Sequence, residues 1–210
     1  MIAIISLLVS ILIPSLKRAK ELTRRVVCSS NLHQIGVALM TYAADHRGEF
    51  PEGARGRWFS DFWSRTWKNS VYPKYISVPA LCYCPSADAQ PDGYVGADPW
   101  TYWDYLSYDY CIIGYSYTPN QFMWTQDLQG NVFPTNAEEA TSTGVLMADD
   151  SSYLGDEGWG GVNYNWNHIW DDAQGGNVMG GDGHVEWKNS NQQKARTSSD
   201  SPWGECQSWW

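Results

Sequence analysis

The sequence predicts an α+β fold in which one long N-terminal α-helix packs on a small antiparallel β-sheet, and three observations predict it. Between Pro14 and Pro51 the 210-residue chain has no proline, and its first glycine is Gly36, so the apolar start runs on through "ELTRRVVCSSNLHQIGVALMTYAADHRGEFP" as one helix. Beyond Gly48-Glu49-Phe50-Pro51 the composition changes to Trp, Tyr, Gly, Asp and Asn in short runs with dense turn signals, as in "PSADAQPDGYVGADP". Short strand-like segments follow near 144–149, 176–180 and 184–188, the last two joined as a hairpin around Gly181-Asp182-Gly183. A helix covering one face of such a sheet lets each bury its apolar side.

The helix opens with "MIAIISLLVSILIPSL", a stretch without a charge, and Lys17, Arg18, Lys20, Arg24 and Arg25 follow it. As a helix this stretch rises about 24 Å, short of a hydrocarbon core of roughly 30 Å. A secretory signal would place its charges before the apolar run and a small-residue cleavage site after it, the reverse of this order. Pro14 removes one helical hydrogen bond at a cost of about 3 kcal/mol, which membrane helices tolerate. On a helical wheel Cys28, Leu32, Ile35, Leu39, Tyr42 and Ala43 share one side, while Ala19, Leu22, Val26, Val37 and Met40 share the nearly opposite side. A helix packed only on its own domain needs one stripe. The second predicts identical copies packing side by side, against the alternative of a helix buried between two layers of its own domain.

Residues 1–47 hold six Lys or Arg against two acidic residues, and the rest of the chain holds eight against 21. An acidic body argues against nucleic acid, whose binding depends on neutralised phosphates, and suits a solvated, secreted-type domain. The five cysteines, Cys28, Cys82, Cys84, Cys111 and Cys206, fit an oxidising compartment, but their number is odd and their spacing assigns no pair. A further strand is predicted near 111–117 and a short helix near 59–69, with no internal repeat.

"IAIISLLVSILIPSLKRAKELTRRVVCSSNLHQIGVALMTYAADHRGEFP" resembles the N-terminal helix of type IV pilin-like proteins. The resemblance is closest to the type II secretion pseudopilin-like proteins with a prepilin-type N-terminus found in planctomycetes and related bacteria. The matching pieces are the apolar run with its proline, the basic stretch after it, Cys-Ser-Ser-Asn-Leu-His-Gln-Ile-Gly at 28–36, and Tyr42 to Pro51. Isolated points recur later: "CPSAD" at 84–88, "GVLMADDSS" at 144–152, and "NHIWDDAQGGNVMGGDGHVEW" at 167–187, which contains the Asp-Gly-His-Val typical of that family. Residues 169–172 look like an insertion that moves His168 away from this motif.

The resemblance implies a pilin-like fold in three parts: a membrane and filament-core helix at 1–50, an α+β head at 51–188, and a polar tail at 189–210. It implies a structural, non-enzymatic subunit of an extracytoplasmic helical filament, either type IV pilus-like or type II secretion pseudopilus-like. Such a subunit waits in the inner membrane and is then built by pilus or secretion machinery into a periplasmic or extracellular filament of identical copies. The residues assigned to assembly are Ile2, Ile5, Leu8, Leu12 and Pro14, with Leu22, Val26, Val37 and Met40 on the second stripe. Members of the family normally carry a basic leader, a Gly cleavage site, a Phe and a nearby Glu. Alignment on Pro14 leads to the expectation that about eight mature residues and a leader precede Met1, which would complete a span of roughly 20 apolar residues. Basic residues after the span would alone hold the body in the cytoplasm, and a basic leader reverses that balance.

Asp149, Asp150, Asp171, Asp172 and Asp182 form the densest acidic loop set, of the kind calcium selects. Calcium ordering of the C-terminal loops in major pseudopilins makes this the one cofactor expectation. The alternative is a simply solvated set of loops. His168 and His184 lack zinc-ligand spacing, Cys82-Tyr83-Cys84 has no second pair, and a hairpin or packing role is the better reading of these histidines. No G-x-S-x-G, H-E-x-x-H or P-loop is present. The family-like contexts of Cys28 and Cys84 imply a disulfide tying the helix to the body, with Cys82–Cys111 as a second pair and buried free thiols as the alternative. Thirteen Trp and thirteen Tyr support a rival function, a membrane-tethered carbohydrate-binding module that stacks sugar rings. A tether, however, has no use for a second apolar stripe.

Overall fold

The structure is a computed structural model. It describes residues 2–53, 62–86, 110–112, 115–117, 133–142, 144–149, 151–154, 163–166, 175–189, 191–193, 195–201 and 204–209. The architecture is α+β, as the sequence predicts. Helix α1 (Ile2–Asp45) runs unbroken for 44 residues, about 66 Å at the α-helical rise. Pro14 lies inside it, and the Ser15 hydroxyl donates back to the Leu12 carbonyl at 2.8 Å in the same turn.

Strands β1 (Phe62–Ser64), β2 (Tyr110–Ile112), β3 (Tyr115–Tyr117), β4 (Val145–Asp149), β5 (Ser151–Leu154), β6 (Asn163–Trp166), β7 (Gly175–Gly180), β8 (Val185–Asn189), β9 (Ala195–Ser201) and β10 (Gly204–Trp209) follow, with helix α2 (Arg65–Val71) after β1. They form an antiparallel pair β1-β2 and two antiparallel four-stranded sheets, β3-β4-β7-β8 and β6-β5-β10-β9.

Helix α1 lies on the first sheet, against β4, β7 and β8. The predicted stripe is the one that packs: Cys28, Leu32, Ile35, Leu39 and Ala43 are buried with Met147 and Met179, which sit opposite each other in register. One position along, the paired Ala148 and Val178 bury against Phe133 in a smaller cluster. Both faces of β4 and β7 are therefore covered, which explains why these strands read as continuous apolar runs rather than clean alternation. The helix comes close to β7 at Gly36, where a Cβ would lie 2.6 Å from Met179 Sδ and the Met179 side chain would have to shift.

Four expectations change. The predicted strand at 111–117 is two short strands, β2 and β3, that pair with different partners, β1 and β4. The short helix begins at Arg65 rather than near 59, after strand β1. The polar tail at 189–210 contains β9 and β10, which complete a second sheet that the sequence did not announce. "ARTSSDS" and "GECQSW" carry little apolar alternation, and backbone pairing of β10 with β5 on one side and β9 on the other holds them in register. Met40, placed on the outward stripe, is instead partly buried against the core. Helix α1 is also flanked by α2 and by the 3-10 turn Pro79–Cys82, which adds to its buried surface.

Candidate functional site

Helix α1 has two halves with opposite surroundings. From Ala3 to Lys20 every residue is exposed, and Ile4, Leu7, Ile11 and Leu16 are each more than 60% accessible. Ile5, Leu8, Leu12 and Pro14, assigned to assembly, are exposed in this half, while the Ile2 side chain lies outside those described. The uncharged part, up to Leu16, is apolar on every face, and a helix of that kind is normally buried, in a large core or in a membrane. Among the described residues no helix is long and apolar enough to cross a membrane, in line with the rise of about 24 Å expected of the uncharged run.

The grip of the body begins at Glu21. This carboxylate is buried; Ser86 Oγ donates to it at 3.1 Å and Arg25 Nε reaches it at 3.5 Å. The Arg25 guanidinium also lies 4.0 Å from the centre of the Trp187 ring on β8, a cation–π contact. One helical step further, Cys28 donates to Asp149 Oδ1 at 2.7 Å and stands 3.3 Å from the Tyr115 hydroxyl. Asn31 Nδ2 reaches both the Tyr83 carbonyl and that hydroxyl at 3.4 Å. His33 Nδ1 donates to the Gly183 carbonyl at 3.1 Å, tying α1 to the tip of the β7-β8 hairpin.

The buried centre of this grip is polar. Asp149 is 1% exposed; the Asn177 backbone N–H donates to its Oδ2 at 2.6 Å and Asn177 Nδ2 at 2.9 Å. The Ser86 N–H donates to Cys84 Sγ at 3.4 Å. Cys28 Sγ, Cys84 Sγ and an Asp149 oxygen all lie within 4.8 Å of one another. Burial first, then the Cys84 hydrogen bond and the nearby Asp149 charge, pushes the Cys28 thiol well above its ordinary value. Burial likewise raises Tyr115, helped by the charges of Cys28, Cys84 and Asp149.

Three distant sequence landmarks thus meet the "CSSNLHQIG" stretch of α1 and its neighbouring turns: residues 84–86 of "CPSAD", the Asp149 end of "GVLMADDSS", and "GGNVMGGDGHVEW". Sequence reading found each of them, but not their common role. Glu21 and Asn177 were not singled out, because neither the basic stretch around Glu21 nor the strand pattern around Asn177 shows which distant group each side chain meets.

The acidic set is not brought together. Asp149 is buried at the end of β4, whereas Asp182 is exposed in the β7-β8 turn beyond Gly180, the partner of Val145. Four residues of strand separate the two ends, about 13 Å, so these two carboxylates cannot hold one ion. Asp150, Asp171 and Asp172 lie outside the described residues, as does His168. Asp182 accepts from both the backbone and the ring of His184, which places His184 in a hairpin role. Cys28, Cys82 and Cys84 are buried thiols outside any disulfide, so neither expected pair is formed at these residues, and the Cys111 side chain lies outside those described.

On the outward stripe Leu22, Val26 and Val37 are all more than half exposed. Residues 17–77 match a family model described as "Protein of unknown function (DUF1559)". The match covers the gripped half of α1 and the chain through Ile76 and Ser77. It spans less than a third of the sequence and stops short of the C-terminal landmarks. No curated protein and no solved structure gives a significant match.

Proposed function

We propose that this chain is a structural subunit of an extracytoplasmic helical filament, pilus-like or secretion-pseudopilus-like, and that it acts by assembly rather than catalysis. The observation that carries this reading is the division of α1: an exposed segment before Glu21 that is uncharged up to Leu16, and a gripped segment after it that keeps Leu22, Val26 and Val37 outside. The apolar segment exchanges lipid contact in the inner membrane for contact with identical helices, and the outward stripe continues that contact along the body. A heterologous interface of this kind repeats without closing and generates an open helix of subunits. The family match over residues 17–77 is compatible with a pilin-like surface protein.

Electron microscopy of material sheared from native cells, with mass spectrometry of the same fraction, tests the reading. Filaments containing this chain are expected, and a variant with Val26→Asp and Val37→Asp is expected to leave folded subunits in the membrane fraction with no filaments. Folded wild-type monomers that remain in the membrane and are retained by polysaccharide would overturn it in favour of the tethered carbohydrate-binding module.

A further inference from the structure

We propose that Cys28, Cys84 and Asp149 form a buried structural site for a divalent cation of the zinc type, which locks α1 to the head. The donor set is two sulfurs and one carboxylate oxygen, the mixture that zinc accepts. The three come from separate parts of the chain: the middle of α1, the segment after the 3-10 turn, and the end of β4. Their ligand atoms lie within 4.8 Å of one another, and tetrahedral zinc with sulfur and oxygen donors sets them about 3.5–3.8 Å apart. The Tyr115 hydroxyl, 3.3 Å from Cys28 Sγ, offers a fourth oxygen at the same point.

Each donor is also supported from behind. The Ser86 N–H points at Cys84 Sγ. A neutral thiol is a weak acceptor, so a backbone donor aimed at sulfur is best used by a thiolate. Both Asn177 donors go to Asp149 Oδ2, which leaves Oδ1 turned towards Cys28. Hydrogen bonds to the outer atoms of ligating groups are what orient them around a metal.

In the metal-free chain the proton of Cys28 sits between sulfur and carboxylate, at a separation of 2.7 Å. A cation replaces that proton and opens this gap by about 0.8 Å, towards the sulfur-to-oxygen spacing of a tetrahedral site. The charge balance is simple: one dication binds, the thiols of Cys28 and Cys84 release two protons to solvent, and the Asp149 carboxylate coordinates unchanged. A Cys28–Cys84 disulfide would instead remove the thiol donor from Asp149 and leave that carboxylate buried with one hydrogen bond fewer.

The full chain, purified under reducing conditions without chelator, is analysed for bound metal and then titrated with cobalt(II) alone. About one equivalent of metal and a sulfur-to-cobalt charge-transfer band are expected. Cys84→Ser should abolish the band, and Asp149→Asn should weaken cobalt binding by at least tenfold. Chelator should lower the melting temperature of the wild type. If the serine variant fails to fold, the wild-type titration still decides. A folded wild-type chain with free thiols and no cobalt band overturns the proposal. So does an intact mass two hydrogens short, with Cys28 and Cys84 in one linked peptide of natively isolated protein.

Discussion

The two halves of α1 differ in what surrounds them far more than in what they are made of. Residues 3–20 are bare, whereas Glu21 to Asp45 are held by a sheet, a turn and a hairpin. Both halves are helical, and both are rich in aliphatic residues. The difference teaches that the contacts of the head are made by the second half alone, and it leads to the expectation that the head folds without the first. Glu21 marks the border, as the first buried residue of the helix and one tied to Ser86.

The strongest way to break the comparison is to charge the bare half. Replacing Leu8 and Leu12 with Lys is expected to abolish membrane retention and filament assembly, since each basic residue costs about 2.5–3.5 kcal/mol at the centre of a bilayer. The melting temperature of the head should stay within error of the wild type. A large fall in it would show that the bare segment is part of the folding unit. In the gripped half the reverse is expected: Leu32→Ala removes a fully buried side chain and should cost about 2–5 kcal/mol in denaturant unfolding.

The polar centre gives a smaller effect. Asn177→Ala removes one of the donors to Asp149 and the bond to the Arg25 carbonyl, and is expected to lower stability by about 1–3 kcal/mol. The same substitution should leave Leu32→Ala roughly additive if the apolar and polar parts of the grip act independently, and a double-mutant cycle measures this.

The smallest effect lies at the C-terminal end of α1. Hydrogen bonds from Lys74 and then Tyr75 hold the Asp45 carboxyl below its ordinary value of 3.8. A folded-state value depressed in this way adds stability above the unfolded-state value, and that stability is lost as pH falls through the folded-state value. Asp45 is exposed, so solvent screens the contact. Acid unfolding of Asp45→Asn should begin at a pH barely distinguishable from that of the wild type. A clear shift would show that this end of the helix is held more tightly than the middle.

The helix, its inward stripe and the β7-β8 hairpin were legible in the sequence because each has a period that a single element imposes on its own residues. Position 36 was legible as glycine but not as the place where Met179 presses on α1. The second sheet was not legible: β5, β6, β9 and β10 are built from Ser, Thr, Asn, Gln and scattered aromatics, and their pairing is made by backbone groups that every residue possesses.

What the sequence determined by itself was local: where a helix can run, which of its faces are apolar, where turns fall, and that the body is acidic. Only the tertiary structure decided that Met40 packs partly against the core, and that Asp149 turns inward while Asp182 stays in solvent. It also decided that Cys28 and Cys84, 56 positions apart in the chain, share one buried site with Asp149. Periodicity fixes the direction of a side chain relative to its own element, but which residue it meets depends on how distant elements pack, and that information is spread over the whole chain.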